Sequence, residues 1–150
     1  MITVVFSVNA QTKFEKTVKL SENQELFIDF KFAQNIEVKQ WNKNEVSVKV
    51  EVTIDNGEGD EYFSLKTEDD GSELSIYSDF GDYFKIKNPY DTKSNHTRTD
   101  INYTVYIPKD IFLTVKSISG NLMMDEFNGE LVTDIMAGDV TIKKYKGELD

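Results

Sequence analysis

The chain has 150 residues, 39% of them hydrophobic and 29% charged, and its 17 Lys and Arg against 27 Asp and Glu leave a formal net charge of −10. That length suits one domain, which buries roughly 68–70% of the surface its unfolded chain exposes. The charge opposes a phosphate backbone and excludes general nucleic-acid binding. The lack of Cys excludes a disulfide framework, a thiol nucleophile, Cys-ligated zinc and a lipid-anchor cysteine, and no apolar run approaches the roughly 18 residues of a membrane-spanning helix.

Residues 1–10 carry two readings. Ile2 to Val8 form a short apolar stretch, and Val8-Asn9-Ala10 places small residues where a signal peptidase would cut, before Gln11. No Lys or Arg precedes the stretch, and Thr3 and Ser7 interrupt it, so an ordinary first β-strand is the other reading. Export is favoured over the strand, a mis-set Met1 being one way to account for the missing basic residues, and 11–150 reads as a single β-strand-repeat domain.

From there period-two alternation dominates. Leu26, Ile28, Phe30 and Phe32 recur at period two, as do Val46, Val48, Val50, Val52 and Ile54, which alternate with Ser, Lys, Glu and Thr in the cleanest half-buried strand of the chain. Shorter versions occur at Phe63–Leu65, Leu74–Ile76 and Phe84–Ile86, and a long one at Ile101, Tyr103, Val105 and Ile107, which Pro108 should end because it cannot donate to a central ladder. Asp55-Asn56-Gly57, Asp69-Asp70-Gly71, Phe80-Gly81-Asp82 and Asn88-Pro89 mark chain reversals. The polar run from Asn88 to Asp100 reads as the longest loop, and no window has helical apolar spacing.

The C-terminal part repeats. LTVKSISGNLMMDEFNGE (113–130) aligns without a gap on LVTDIMAGDVTIKKYKGE (131–148), a period of 18 residues. Leu113, Leu131 and Leu149 share one phase; Gly120 matches Gly138, Leu122 Val140, Met124 Ile142, Phe127 Tyr145 and Gly129 Gly147. A fixed period in strand-forming sequence implies stacked coils, each burying its apolar face on the next. Stacked coils lie about 4.8 Å apart, which sets Lys116 against Asp134, Asp125 against Lys143 and Glu126 against Lys144, each pair worth about 0.2–1 kcal/mol. The predicted fold is all-β: β-solenoid or parallel β-helix-like coils of about 18 residues, preceded by a strand meander, with a β-sandwich as the alternative.

A weaker copy of the coil pattern, NIEVKQW at 35–41, shares its order of Asn, apolar, any, apolar, any, any, aromatic with Asn121 to Phe127 and Asp139 to Tyr145. Together with YTVYIPKD at 103–110, Ser119-Gly120-Asn121-Leu122 and Ala137-Gly138-Asp139-Val140, this resembles the putative-adhesin family of bacterial β-strand-repeat proteins, a domain of unknown function. The resemblance covers about residues 12–150. It implies an exported, cell-envelope protein with a β-solenoid core, no established enzyme chemistry and no cofactor. The last coil ends without a cap, an open edge through which self-association is expected.

Several residues invite a site. Trp41, Phe127 and Tyr145 are either an aromatic sugar-binding strip or, as equivalent repeat positions, a packing ladder. The acidic segment 55–70 is either a calcium site or a set of solvated turns, and it matches no EF-hand spacing. His96, the only histidine, lies in the polar loop without triad partners. Asn95-His96-Thr97 and Asn102-Tyr103-Thr104 match glycosylation sequons. A polysaccharide-active β-helix is the competing function, and Lys143, Lys144 and Lys146 are its available cations, but two of these are already spoken for by stacked acids. The expectation is no catalytic, cofactor or metal residue. The partner is an unidentified envelope protein or glycan, not a nucleic acid, and there is no membrane span.

Overall fold

Alternation in the sequence becomes alternation in burial. The computed structural model describes residues 3–8, 11–86 and 98–149. Its elements are β1 (Thr3–Val8), β2 (Gln11–Lys19), β3 (Glu25–Asp29), β4 (Phe32–Trp41), β5 (Glu45–Ile54), β6 (Ser64–Asp69), β7 (Glu73–Asp79), a single helical turn α1 (Tyr83–Ile86), β8 (Thr99–Pro108), β9 (Ile111–Ala137) and β10 (Val140–Leu149). Along β5 the side chains of Val46, Val48, Val50, Val52 and Ile54 are buried while Lys49 and Glu51 face solvent. That is what β-branched residues at period two do on a pleated strand with one covered face. β8 ends at Pro108 as expected.

The ten strands belong to one sheet, where a sandwich needs two; its order is β1-β2-β5-β8-β4-β9-β3-β7-β6, with β10 added to β9. The sheet curls until its two flanks meet. Thr12 on β2 donates to Asp60 (2.9 Å), the buried Lys16 ammonium donates to the Leu65 carbonyl (3.0 Å), and the Phe14 and Phe63 rings stand 5.0 Å apart. The result is an all-β, curled, open half-barrel rather than a stack of closed coils.

The 18-residue repeat appears within it as one parallel register. β10 pairs with β9 from Val140↔Leu122 through Tyr145↔Phe127 to Leu149↔Leu131, the offset read from the sequence. The weaker copy is aligned as predicted too, since β4 runs parallel to β9 with Asn35↔Asn121, Ile36↔Leu122 and Val38↔Met124. β8 continues this ladder on the far side of β4, with Tyr103↔Ile36 and Val105↔Val38. A second parallel ladder joins Leu74, Leu26 and Leu113, then Ile76, Ile28 and Val115. β9 is long enough to take part in both ladders, bending at Gly120 and Gly129, whose φ angles of 145° and 137° lie in the region that favours glycine.

Two expectations need correction. The N-terminal part is not a meander: of its strands only β1 with β2 and β6 with β7 pair as chain neighbours, whereas β3 and β4 lie parallel to β9. Parallel pairing cannot be closed by a tight turn, so distant segments are recruited instead. Phe84–Ile86 is not a strand but part of α1, because Tyr83 and Phe84 both pack into one aromatic cluster with Phe80, and a strand would send adjacent residues to opposite faces. Residues 3–8, within the segment read as leader or strand, form β1 at the edge of the sheet.

The core centres on Phe30 and Tyr103, stacked 3.9 Å apart at 6°. Tyr103 keeps its phenol enclosed with no hydrogen-bond partner among the described residues. Burial pushes its proton affinity far up, and the neighbouring Ser78 hydroxyl opposes that shift without closing a bond. Replacing Tyr103 with Phe removes an unsatisfied polar group at almost constant shape. Urea unfolding of Tyr103→Phe should therefore show unchanged or higher stability, by up to about 1 kcal/mol; a clear loss would mean that the phenol is bonded after all.

Candidate functional site

The outer face of the sheet carries an extended, ordered polar surface across β2, β5, β8 and β4. Because β2, β5, β8 and β4 are in register, their outward side chains form rows across the strands. Lys13, Glu51, Asn102 and Asn35 form one row; Glu15, Lys49, Thr104 and Glu37 form the next; Thr17, Ser47, Tyr106 and Lys39 form the third. Charges alternate along and between rows, with Lys13–Glu51 at 3.8 Å and Lys39–Glu37 at 3.4 Å.

The Asn position that leads each coil copy builds a ladder on this face. Asn102 donates to Asp100, Asn35 donates to Asn102 (both 3.0 Å), and the Asp139 N–H donates to Asn121 (3.0 Å). Amide side chains suit such a ladder because each offers a donor and an acceptor.

Beside these rows lies an aromatic pair. Trp41 at the end of β4 and Tyr106 on β8 are half-buried, with ring centres 5.1 Å apart. The indole N–H donates to the Glu45 carbonyl (2.8 Å), which fixes the ring. Three ammonium groups stand over the pair: Lys43 at 4.8 Å from the Trp41 ring, and Lys49 and Lys39 at 5.6 and 5.9 Å from the Tyr106 ring.

The predicted aromatic strip therefore divides. Phe127 is fully buried and Tyr145 stacks on it at 5.9 Å and 15°, donating its hydroxyl to the Gly129 carbonyl (3.1 Å), so these two are a packing ladder. Trp41 belongs with Tyr106 instead. The signal for Tyr106 was present in YTVYIP, where period two turns Tyr103, Val105 and Ile107 inward and Tyr106 outward.

The acids of 55–70 build turns. Asp55 accepts from the Arg98 N–H and the Tyr83 hydroxyl, and buried Asp60 accepts from Thr12 and the Ile54 N–H. Asp69 accepts from Gln24 and the Gly71 N–H. Asp70 accepts from the N–H groups of Ser72 and Glu73, which hold its carboxyl below the usual range. Among the described residues no group of three or more His, Cys, Asp or Glu could hold a metal. His96, its sequon and most of the polar loop lie outside the described residues.

Of the stacked charges, Lys143 meets Asp125 at 3.3 Å and Lys144 lies opposite Glu126, while Lys116 lies opposite Asp29 on β3. Exposed pairs of this kind contribute little to stability. Lys143 and Lys144 sit on β10, the outermost strand of the ladder, where positive charge is a common guard against edge-to-edge pairing.

A hollow of about 660 Å³ opens at the turn end of the sheet, lined by Leu20, Glu22, Glu25, Lys109, Asp110 and their neighbours. Its charged side chains are exposed. Displaced proton affinities occur elsewhere: a hydrogen bond from Lys66 lowers Asp79 (2.8 Å), and burial lowers Lys16. Among the described residues no helix is long and apolar enough to cross a membrane.

No known protein-family pattern matches the chain, and no curated protein sequence does either. Solved structures do. The chain is similar to a putative cell adhesion protein from Clostridium sporogenes, at 10% identity over 93% of this chain and 97% of that one, with a TM-score of 0.47. It is also similar to putative adhesins from Parabacteroides merdae (11% identity, 90% and 57% covered, TM-score 0.49) and Bacteroides fragilis (13%, 90% and 55%, 0.47). The chain thus spans a little over half the length of these last two proteins.

Proposed function

We propose that this chain is an exported, non-catalytic β-repeat protein of the bacterial cell envelope that works by surface contact, as an adhesin does. The observation that carries the reading is the outer sheet face. Its ordered side chains are spread in rows over four strands, a geometry suited to touching an extended partner. An enzyme instead needs ionisable groups converging on one reacting atom, and the charged residues of the hollow at the turn end of the sheet are solvated. The sequence resemblance to the putative-adhesin family points the same way, and the reading extends to this chain the role that the names of the similar structures carry.

The test is labelling of the native host with a membrane-impermeant, amine-reactive reagent, followed by fractionation. The protein should be labelled on intact cells through its exposed lysines. Recovery of unlabelled protein in the cytoplasmic fraction alone would overturn the reading.

A further inference from the structure

We infer that the Trp41–Tyr106 pair, with Lys39, Lys43 and Lys49, is a binding site for an acidic sugar, the carboxylated unit of a polysaccharide. This rests on the surface-contact reading and names the ligand class of that surface.

The two rings come from neighbouring parallel strands and stand on the solvent side, Tyr106 lying between inward-facing Val105 and Ile107 on β8. The hydrogen bond from Trp41 to Glu45 holds the indole in place before any ligand arrives, so little side-chain entropy is lost on binding. A pyranose ring presents C–H groups to an aromatic face, and a rigid aromatic supplies contact area with few rotamers to freeze.

The cations decide which sugar. In the described structure Lys43 and Lys49 contact ring faces, and Lys39 is shared with exposed Glu37. An exposed ammonium over a ring gains only about 0.5–1 kcal/mol, so all three can turn to a stronger partner. A carboxylate is such a partner, because charge-assisted hydrogen bonds are roughly twice as strong as neutral ones. A hollow of about 400 Å³ beside Tyr106, lined by Lys13, Lys39 and Lys49 and equally by Glu15, Glu37 and Glu51, has room for sugar units adjoining the rings, whose carboxylate must then sit at the lysine side, away from these acids.

The acids woven between these lysines exclude other anions. Glu15, Glu37 and Glu51 interrupt the positive charge across the rows, and the whole chain carries −10. A phosphate backbone or an anionic lipid surface is attracted by summed positive charge, which is absent. A discrete carboxylate held by a sugar ring needs only the nearest ammonium groups.

Trp41 is the single tryptophan, so its emission reports this site alone. Titration with a linear tri-galacturonate should change the emission saturably at up to about 10 mM, the range of a weak single-unit contact. The neutral analogue maltotriose, sodium acetate at matched ionic strength and anionic phosphatidylglycerol vesicles should leave it flat. The double variant Lys43→Glu, Lys49→Glu should keep the wild-type circular dichroism and weaken tri-galacturonate binding about tenfold or more, as loss of two charge-assisted bonds requires. Tyr106→Ala should weaken it while leaving the fluorophore in place.

A flat response to tri-galacturonate by folded protein overturns the inference, as does an equal response to maltotriose or acetate, or a response to vesicles alone. Any of these leaves the surface-labelling result as it stands, so the two readings fail separately.

Discussion

Gly129→Ala should lower the unfolding free energy by about 2–4 kcal/mol in urea denaturation, the sum of left-handed backbone strain and a backbone clash. Gly129 sits at a corner of β9 with φ of 137°, and a methyl group there would stand 2.3 Å from the Ile111 carbonyl oxygen. The obstacle is main chain, which cannot rotate away. A layer also lies on the other side, where Gly147 packs so closely that its own methyl group would meet the Gly129 oxygen at 1.9 Å. A second column has the same form, with Gly138 over Gly120 and Gly120 over Ala33. Gly71→Ala is the control. Its φ is 91° and nothing lies within 4 Å of the added methyl group, so it carries backbone strain alone, about 1–2 kcal/mol. Equal losses in the two variants would mean that the corner columns are not close-packed.

Phe30→Ala should cost about 3–5 kcal/mol, the range for emptying a buried phenylalanine site. The ring is fully buried, stacked on Tyr103 at 3.9 Å. Its main chain is where β3 passes to β4, tied to β9 on both sides: Phe30 N–H donates to the Lys116 carbonyl (3.0 Å) and its own carbonyl accepts from the Ser117 hydroxyl (2.6 Å). Those bonds hold the backbone in position, so the walls cannot collapse into the vacated space and most of the cavity cost remains. Phe30→Leu should recover part of the loss. A Phe30→Ala loss under about 1 kcal/mol, as for a surface change, would place the stack outside the cooperative core.

Much of this was legible in local sequence. Val46 through Ile54 gave a strand with its buried face correct at every alternate residue. The 18-residue offset and the Asn35 copy returned as Cα partners in two separate strand pairs. Such features are periodic, and a period is visible in one dimension. Trp41 was legible as an aromatic at a repeat position, either in a sugar-binding strip or in a packing ladder, and its grouping with Phe127 and Tyr145 followed the repeat phase. In the structure β8 lies beside β4 at that point, pairing Trp41 with Pro108, and the adjacent ring is that of Tyr106.

Local sequence therefore determined that the chain is all-β, which residues face inward, where the corners need glycine and which coils share a register. Those outcomes depend on side-chain alternation and backbone φ, properties of a residue and its near neighbours. The tertiary structure alone decided that β3 joins β7 to β9, and that the sheet curls until Lys16 reaches Leu65 and Asp60 reaches Thr12. It also set Lys39, Lys43 and Lys49 around one aromatic pair. These contacts join segments far apart in the chain, and what selects them is the burial of complementary apolar faces in a twisted sheet, a property of the whole surface that no single stretch of sequence contains.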